Sequence, residues 1–459
     1  MREVKPNVLS EQEIIESLTK VTTEEIKQAR KSILTSPTDI VLFEGAPGGA
    51  TVKDINGREF LDCTSMAWTL NVGFCYPDVM FAAMEQLKRL SHSRHIYLTI
   101  PKIKLANKLT SIAPGDLKKV GFNNQGGSLA IETALKVAMV NRPKANTFIT
   151  AWEGYHGDTL ATMSATHNLS QPLIRFRGFG TEKFFKVPFP YCYRCAFGEE
   201  YPGCGLECAN FLRQAIERGI VGPVATVLIE PMQGPGGQIP APPEYMKELR
   251  KICSDNNVLL TFDEIQTAFG RVGKMFAAEY YGVVPDIMAL AKALGGGLPI
   301  GATLIRKDLG GLFGEAEDHS TFKSSPVSFA AALINLEVIE RLNLPKRSEE
   351  MGRYITKGLN ELQEKYEIIG DVRGPGLFIG VELVKNRKTK EPATVEANKF
   401  TEEGLKRNVI FGLNMPDIAD GRISMRNVVK VKPPLTVTKE QADRILTVFD
   451  ECLGAVTKK

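Results

Sequence analysis

A single lysine stands where an apolar stretch gives way to glycines: Ala289-Leu290-Ala291-Lys292-Ala293-Leu294-Gly295-Gly296-Gly297. Burying an ammonium is costly unless its pKa falls or its nitrogen enters a neutral adduct. A chain with this feature needs a fold that delivers a strand end to a cavity. A Schiff-base lysine requires such a place. A lysine snorkelling from a strand end satisfies the same local pattern, so the rest of the chain must decide.

Upstream, Val258-Leu259-Leu260-Thr261-Phe262-Asp263-Glu264 reads as a second buried strand, ending in acids. Lys292 follows Asp263 by 29 residues, about one βαβ unit. That return places both side chains at the carboxyl ends of neighbouring parallel strands. A carboxylate and an amine so placed suit a cofactor with a ring nitrogen to keep protonated and an aldehyde to capture. The commoner use of such an aspartate is a helix N-cap or a strand-end ion pair.

The chain has 459 residues, enough for two or three domains with large cores. With 57 basic and 53 acidic residues and no concentrated basic stretch, it offers no case for nucleic-acid binding. Met1–Pro6 lacks the apolar core of a signal peptide, and no apolar run reaches the roughly 18 residues that span a bilayer. A soluble cytoplasmic protein with no membrane partner is expected. Of eight cysteines, four cluster as Cys192-x-x-Cys195 and Cys204-x-x-x-Cys208. Paired cysteines suit a zinc knuckle, but this spacing fits only loosely, and reduced or locally cross-linked loop cysteines are favoured. His92 and His95 lack acidic or thiol partners nearby and read as ordinary polar residues, so no metal is expected.

Residues 9–34 read as helical, and 40–62 as short strands about the turn Asp54-Ile55-Asn56-Gly57. From about 75 to 330, strand and helix patterns alternate, with strands at Lys118–Asn123, Thr147–Trp152, Ala225–Glu230, Leu259–Asp263, Ile287–Ala291 and Ala302–Ile305. This predicts an α/β unit with a mainly parallel sheet under helices. Pro326–Leu342 predicts a long helix leading to a smaller α+β unit. The expected division is an N-terminal segment 1–74 joining the small domain, a large cofactor-binding domain 75–335 and a C-terminal small domain 336–459.

Three further strand ends carry chemistry. Asn123-Asn124-Gln125-Gly126-Gly127-Ser128 opens a helix, where free N–H groups and a hydroxyl make a phosphate cup, although N-caps use the same residues. Tyr155-His156-Gly157 offers an aromatic able to stack on a flat ring, or a core aromatic. Glu230-Pro231-Met232-Gln233-Gly234 ends the third.

These segments, in this order, resemble the class III (omega) aminotransferases. So do Asp263-Glu264-Ile265-Gln266-Thr267, Gly270-Arg271-Val272-Gly273, Pro299-Ile300-Gly301, Thr321-Phe322 with Pro326, and Pro433-Pro434-Leu435. That family has the aspartate-aminotransferase-like fold type I: a large domain with a mainly parallel seven-stranded sheet, plus a smaller α+β domain. The resemblance implies pyridoxal 5'-phosphate held by Lys292, with Asp263 on its ring nitrogen. It implies Tyr155 and Ile265 on the two ring faces, Gln266 at the ring hydroxyl, and Gly127 and Ser128 at the phosphate. Thr321 would reach in from a second subunit, making a homodimer part of the site.

Several positions depart from the family pattern. Lys430 stands where many members carry the arginine that grips a substrate carboxylate, and an ammonium cannot reproduce a planar fork. Arg422 or Arg426 are the candidates to replace it. Pro235 replaces an acid typical of 4-aminobutyrate-type members, and Trp68 resembles the pocket tryptophan of amine transaminases. Lys323-Ser324-Ser325 and Leu129 also differ, the latter with no consequence evident from the sequence. The expected activity moves an amino group from a primary amine or omega-amino acid to a keto acid such as pyruvate. A racemase or epimerase, or an aminoalkyl-phosphate phospho-lyase, shares the same residues. A cofactor-binding regulator would need a DNA-binding module for which the first 40 or so residues are too few.

Overall fold

The computed structural model describes residues 9–34, 38, 40–167, 181–309, 313–314, 317–415, 417–419 and 422–458. Its centre is a seven-stranded sheet. The order is Leu117–Asn123, Gly301–Arg306, Ile287–Leu290, Leu259–Asp263, Val224–Ile229, Thr147–Ala151, Phe184–Val187. Every pairing is parallel except those of Gly301–Arg306, which runs antiparallel to both neighbours. The inner strands Val224–Ile229, Leu259–Asp263 and Ile287–Leu290 are buried at every residue, as expected of a sheet covered on both faces. Side-chain alternation sends Leu260 and Phe262 into one apolar core and Leu259 into another.

The N-terminal and C-terminal parts of the chain share one sheet. Leu42–Gly45, Thr51–Asp54 and Glu59–Asp62 form an antiparallel ribbon, and Val409–Ile410 pairs parallel with its last strand. Ile369–Arg373, Ile379–Asn386, Val428–Val431 and Gly412–Leu413 make a further antiparallel sheet. Two buried charges tie these parts to the large sheet. Glu382 accepts from Arg194, Arg373 and the Tyr191 hydroxyl, so it is paired rather than stranded. Arg271, wholly buried, donates to the carbonyls of Leu377 and Pro433, to Ser65 Oγ and to Asn71 Oδ1.

Local structure departs from expectation in a few places. The helical stretch 9–34 is two helices, Glu11–Thr19 and Thr23–Ser32, because Thr22 starts a new capping box with Glu25. The edge strand Phe184–Val187 was not expected, since its short Phe-Phe-Lys-Val run has no clean alternation. The strand before Lys292 stops at Leu290, and Lys292 opens a one-turn 3-10 helix, Lys292–Gly295, with φ of 44°. Among the described residues no helix is long and apolar enough to cross a membrane.

Candidate active site

Strand register builds the site. Asp263 ends its strand opposite Ala289 of the parallel neighbour, three residues before Lys292. Glu230 follows the strand paired on the other side of Leu259–Asp263, and Tyr155 follows the next. All four reach a cavity of about 540 Å³ at the carboxyl ends of the strands, where ligands bind in open α/β sheets. Gly127, Ser128, Ile265 and Gln266 line the same cavity, as do Trp68, Lys430 and Lys432.

One wall is densely bonded. Asp263 Oδ2 pairs with His156 Nδ1 at 2.8 Å, and its Oδ1 accepts from the backbone N–H of Ile265 at 3.1 Å. Both side chains are buried, so the aspartate's direction is fixed. Glu230 accepts from the N–H groups of Tyr155 and Gly234, each at 2.9 Å. Burial, then the neighbouring Asp263 charge, push the Glu230 carboxyl up to about 8. Burial brings the Lys292 ammonium down to about 8, with Asp263 and Glu230 opposing the shift. An amine so placed exchanges a proton near neutral pH.

The lining fits pyridoxal phosphate. Gln266 Oε1 and His156 Nε2 are buried without a hydrogen-bond partner. Gln266 reaches across Gly234, where a Cβ would sit 1.8 Å from Gln266 Oε1 and push the amide aside. The helix Gly127–Asn141 begins without a side-chain cap, leaving its first N–H groups for an anion. Ser128 Oγ accepts from the Asp158 N–H at 3.0 Å. Gly157, at φ +139°, clears Ser128, because a Cβ would lie 2.5 Å from its Oγ. A Cβ on Gly127 would lie 2.8 Å from Ile265 Cδ1, so that isoleucine packs directly on the cup.

The opposite wall is built differently. Ser65, Met66, Ala67 and Trp68 all have positive φ, between 42° and 69°, forming a left-handed turn without glycine. Left-handed backbone costs about 1–2 kcal/mol per such residue. Asp62 restrains the turn by accepting from Thr64 N at 2.7 Å and Met66 N at 2.9 Å, and Arg271 and the Lys432 carbonyl hold Ser65. Such charged hydrogen bonds contribute roughly 1.5–3 kcal/mol each, enough to offset the strain. The turn presents Trp68 to three ammonium groups: Lys292 Nζ at 5.0 Å and Lys430 Nζ at 4.8 Å from the ring centroid, with Lys432 against the same ring.

The remaining expected site residues fall elsewhere. Thr321 is exposed and starts the 3-10 turn Thr321–Lys323, outside the cavity lining of its own chain. Arg426 does not line the cavity; its backbone N–H donates to Thr394 Oγ1, and its Nε is buried without a partner. The Arg422 side chain lies outside the described residues. Pro235 lines the cavity and its carbonyl accepts from Met415 N, whereas Lys323 is held by Asp318. His156, Glu230, Arg271 and Lys432 gained no role from the sequence, although the first three lie in quoted motifs. Elsewhere, Cys192, Cys195, Cys204 and Cys208 line a void of about 20 Å³ as free thiols. Among the described residues no three potential ligands are grouped to hold a metal. His92 packs on Phe322 and His95 on His319.

This arrangement has relatives. The family described as Aminotransferase class-III matches residues 36–453. A leucine/methionine racemase of Thermococcus litoralis is 37% identical over 89% of each chain. An acetylornithine aminotransferase of Methanocaldococcus jannaschii is 35% identical over 91% of this chain and 94% of its own. A Bacillus anthracis aminotransferase superposes with a TM-score of 0.85 at 30% identity, covering 95% of this chain and all of its own. The chain therefore belongs to the class III aminotransferases, and its fold is the type I α/β fold of that family. It is an enzyme that works with pyridoxal phosphate.

Proposed function

We propose that the protein transfers an amino group from a primary amine or omega-amino acid to a small keto acid such as pyruvate. The observation that carries this reading is the buried Asp263–His156 pair facing the depressed amine of Lys292 across one cavity. When bound, pyridoxal phosphate supplies an electron sink for the carbanion left by loss of a substrate proton. Asp263 would pair with the ring nitrogen, and His156 holds the carboxylate in place. Tyr155 and Ile265 would cover the two ring faces, and Gln266 would hydrogen-bond the ring hydroxyl. The N–H groups of Gly127 and Ser128 seat the phosphate. Lys292, as a free amine, would take the proton from the substrate carbon and deliver it to the carbon on the far side of the nitrogen.

Thr321, exposed on its own chain beside the large apolar surface of Phe322, suits a phosphate contact made to a second subunit, so the working unit is a homodimer. The free thiols suit a reducing compartment such as the cytoplasm. A racemase reading is favoured by one observation, the identity to the leucine/methionine racemase. There the proton returns to the carbon it left, and no acceptor is consumed. The test is an amine and amino-acid panel with and without pyruvate, scoring alanine formed and the enantiomer of unreacted donor. Alanine that appears only with a donor supports transfer. Racemised donor without any keto acid supports the second reading.

A further inference from the structure

Lys430 and Lys432 are 3% and 2% exposed, yet neither ammonium has a hydrogen-bond or ion-pair partner among the described residues. They alternate with Val429 and Val431, which face the core, so the strand's period of two turns both lysines to the cavity. Lys432 is held beyond the strand end, where its N–H donates to the Cys63 carbonyl at 3.0 Å and its carbonyl accepts from Ser65 Oγ at 2.7 Å. Gly412 lies beside both side chains, a Cβ built there falling 3.9 Å from Lys430 Cε and 4.0 Å from Lys432 Cε.

Burying an ammonium is costly unless a counter-charge compensates it. The nearby carboxylates are bonded elsewhere. Asp62 is engaged with Thr64 and Met66, and Glu230 with Tyr155 and Gly234. The Trp68 ring face attracts the cations but carries no net charge. Burial, then the like charges of Lys430, Lys292 and Arg271, hold the Lys432 ammonium well below its ordinary value, with Asp62 opposing. Two adjacent, restrained amines that regain their protons when a counter-charge arrives form a seat for an anion on the cavity wall.

We infer that Lys432, paired with Lys430 beside the Trp68 indole, is a specificity-determining residue that receives the carboxylate of the keto-acid acceptor. The assignment rests on the transaminase reading above. Two single-point donors take the place of one planar fork. Lys292 Nζ and Lys430 Nζ lie 5.0 and 4.8 Å from the same ring centroid, so the reacting nitrogen and the seat are no further apart than those two distances combined.

The test uses the holoenzyme, with its phosphate cup already filled by the cofactor. Propanoate is titrated against it, with propanamide as the uncharged control. The readout is tryptophan fluorescence, because Trp68 is one of only two tryptophans. Wild type should give a saturable response to propanoate and none to propanamide. Lys432→Met should raise the propanoate Kd at least about fivefold, and should raise the pyruvate KM by a larger factor than it lowers kcat. Lys432→Arg should restore most of both, which separates charge from packing. The proposal is overturned if Lys432→Met binds propanoate like wild type, or if it loses cofactor while the pyruvate KM stays unchanged. Wild type that binds propanoate through Lys432 but transfers no amino group would overturn the acceptor assignment and keep the anion seat.

Discussion

The two walls of the cavity follow opposite electrostatic rules. On the Asp263 wall each carboxylate oxygen meets a donor: Asp263 holds His156 and the Ile265 N–H, and Glu230 holds two backbone N–H groups. On the Trp68 wall Lys430 and Lys432 face the left-handed turn Ser65–Trp68, and neither ammonium has an ion-paired carboxylate among the described residues. A satisfied, rigid wall suits an occupant that stays, because pre-aimed groups need no reorganisation during reaction. An unsatisfied wall suits one that comes and goes, since the incoming anion supplies what the protein lacks.

The comparison can be broken most sharply at Lys292. Lys292→Ala should lower turnover by about 10,000-fold or more and remove the imine absorbance of bound cofactor. A variant that keeps a band reducible by borohydride would move the attachment elsewhere. Asp263→Asn should cost about 100- to 1,000-fold in turnover while cofactor remains bound, because the amide carries no charge for the ring nitrogen. Wild-type turnover would reduce Asp263 to a structural role. His156→Leu should cost less, about 10- to 100-fold, the loss of one hydrogen bond to a charged group. An effect as large as that of Asp263→Asn would mean that His156 meets the cofactor itself.

The smallest effect is on stability, and it tests the unpaired wall. Burial and the nearby Lys292 and Arg426 charges bring Lys430 down from 10.5 to about 7. The unfolded chain then holds more protons at this residue than the folded one between pH 7 and 10.5. Stability from this group therefore rises with pH across that window, and the penalty is full below it. In cofactor-free protein, Lys430→Met should flatten the rise of Tm with pH relative to wild type. Identical slopes would show that Lys430 already has a counter-ion in solution.

The two walls also differ in how far the sequence reveals them. Asp263, Lys292 and the phosphate cup lie at strand ends, and strand ends follow from runs of apolar residues and the length of a βαβ unit. The seven-stranded sheet was legible for the same reason, apart from the short edge strand Phe184–Val187. His156 and Glu230 were visible as motif members, but their bonds join strands far apart in sequence. Lys432 was hidden because Val428–Val431 is short, and alternation over so few residues does not say which face meets a cavity. The turn at Ser65–Trp68 had no signal at all, since left-handed backbone normally announces itself through glycine or asparagine. The break between the first two helices, in contrast, was written in Thr22 and Glu25.

That left-handed turn has a consequence for how the pocket can change over generations. Replacing Ala67 with glycine would relieve about 1 kcal/mol of strain in the folded chain. It would also enlarge the ensemble of the unfolded chain, a penalty of about 0.4–1 kcal/mol. The two nearly cancel, so selection on stability alone scarcely sees the substitution. Selection on substrate choice sees it clearly, because Ala67 and Trp68 both line the cavity. Pocket shape at this position can therefore drift or be tuned almost independently of the fold that carries it.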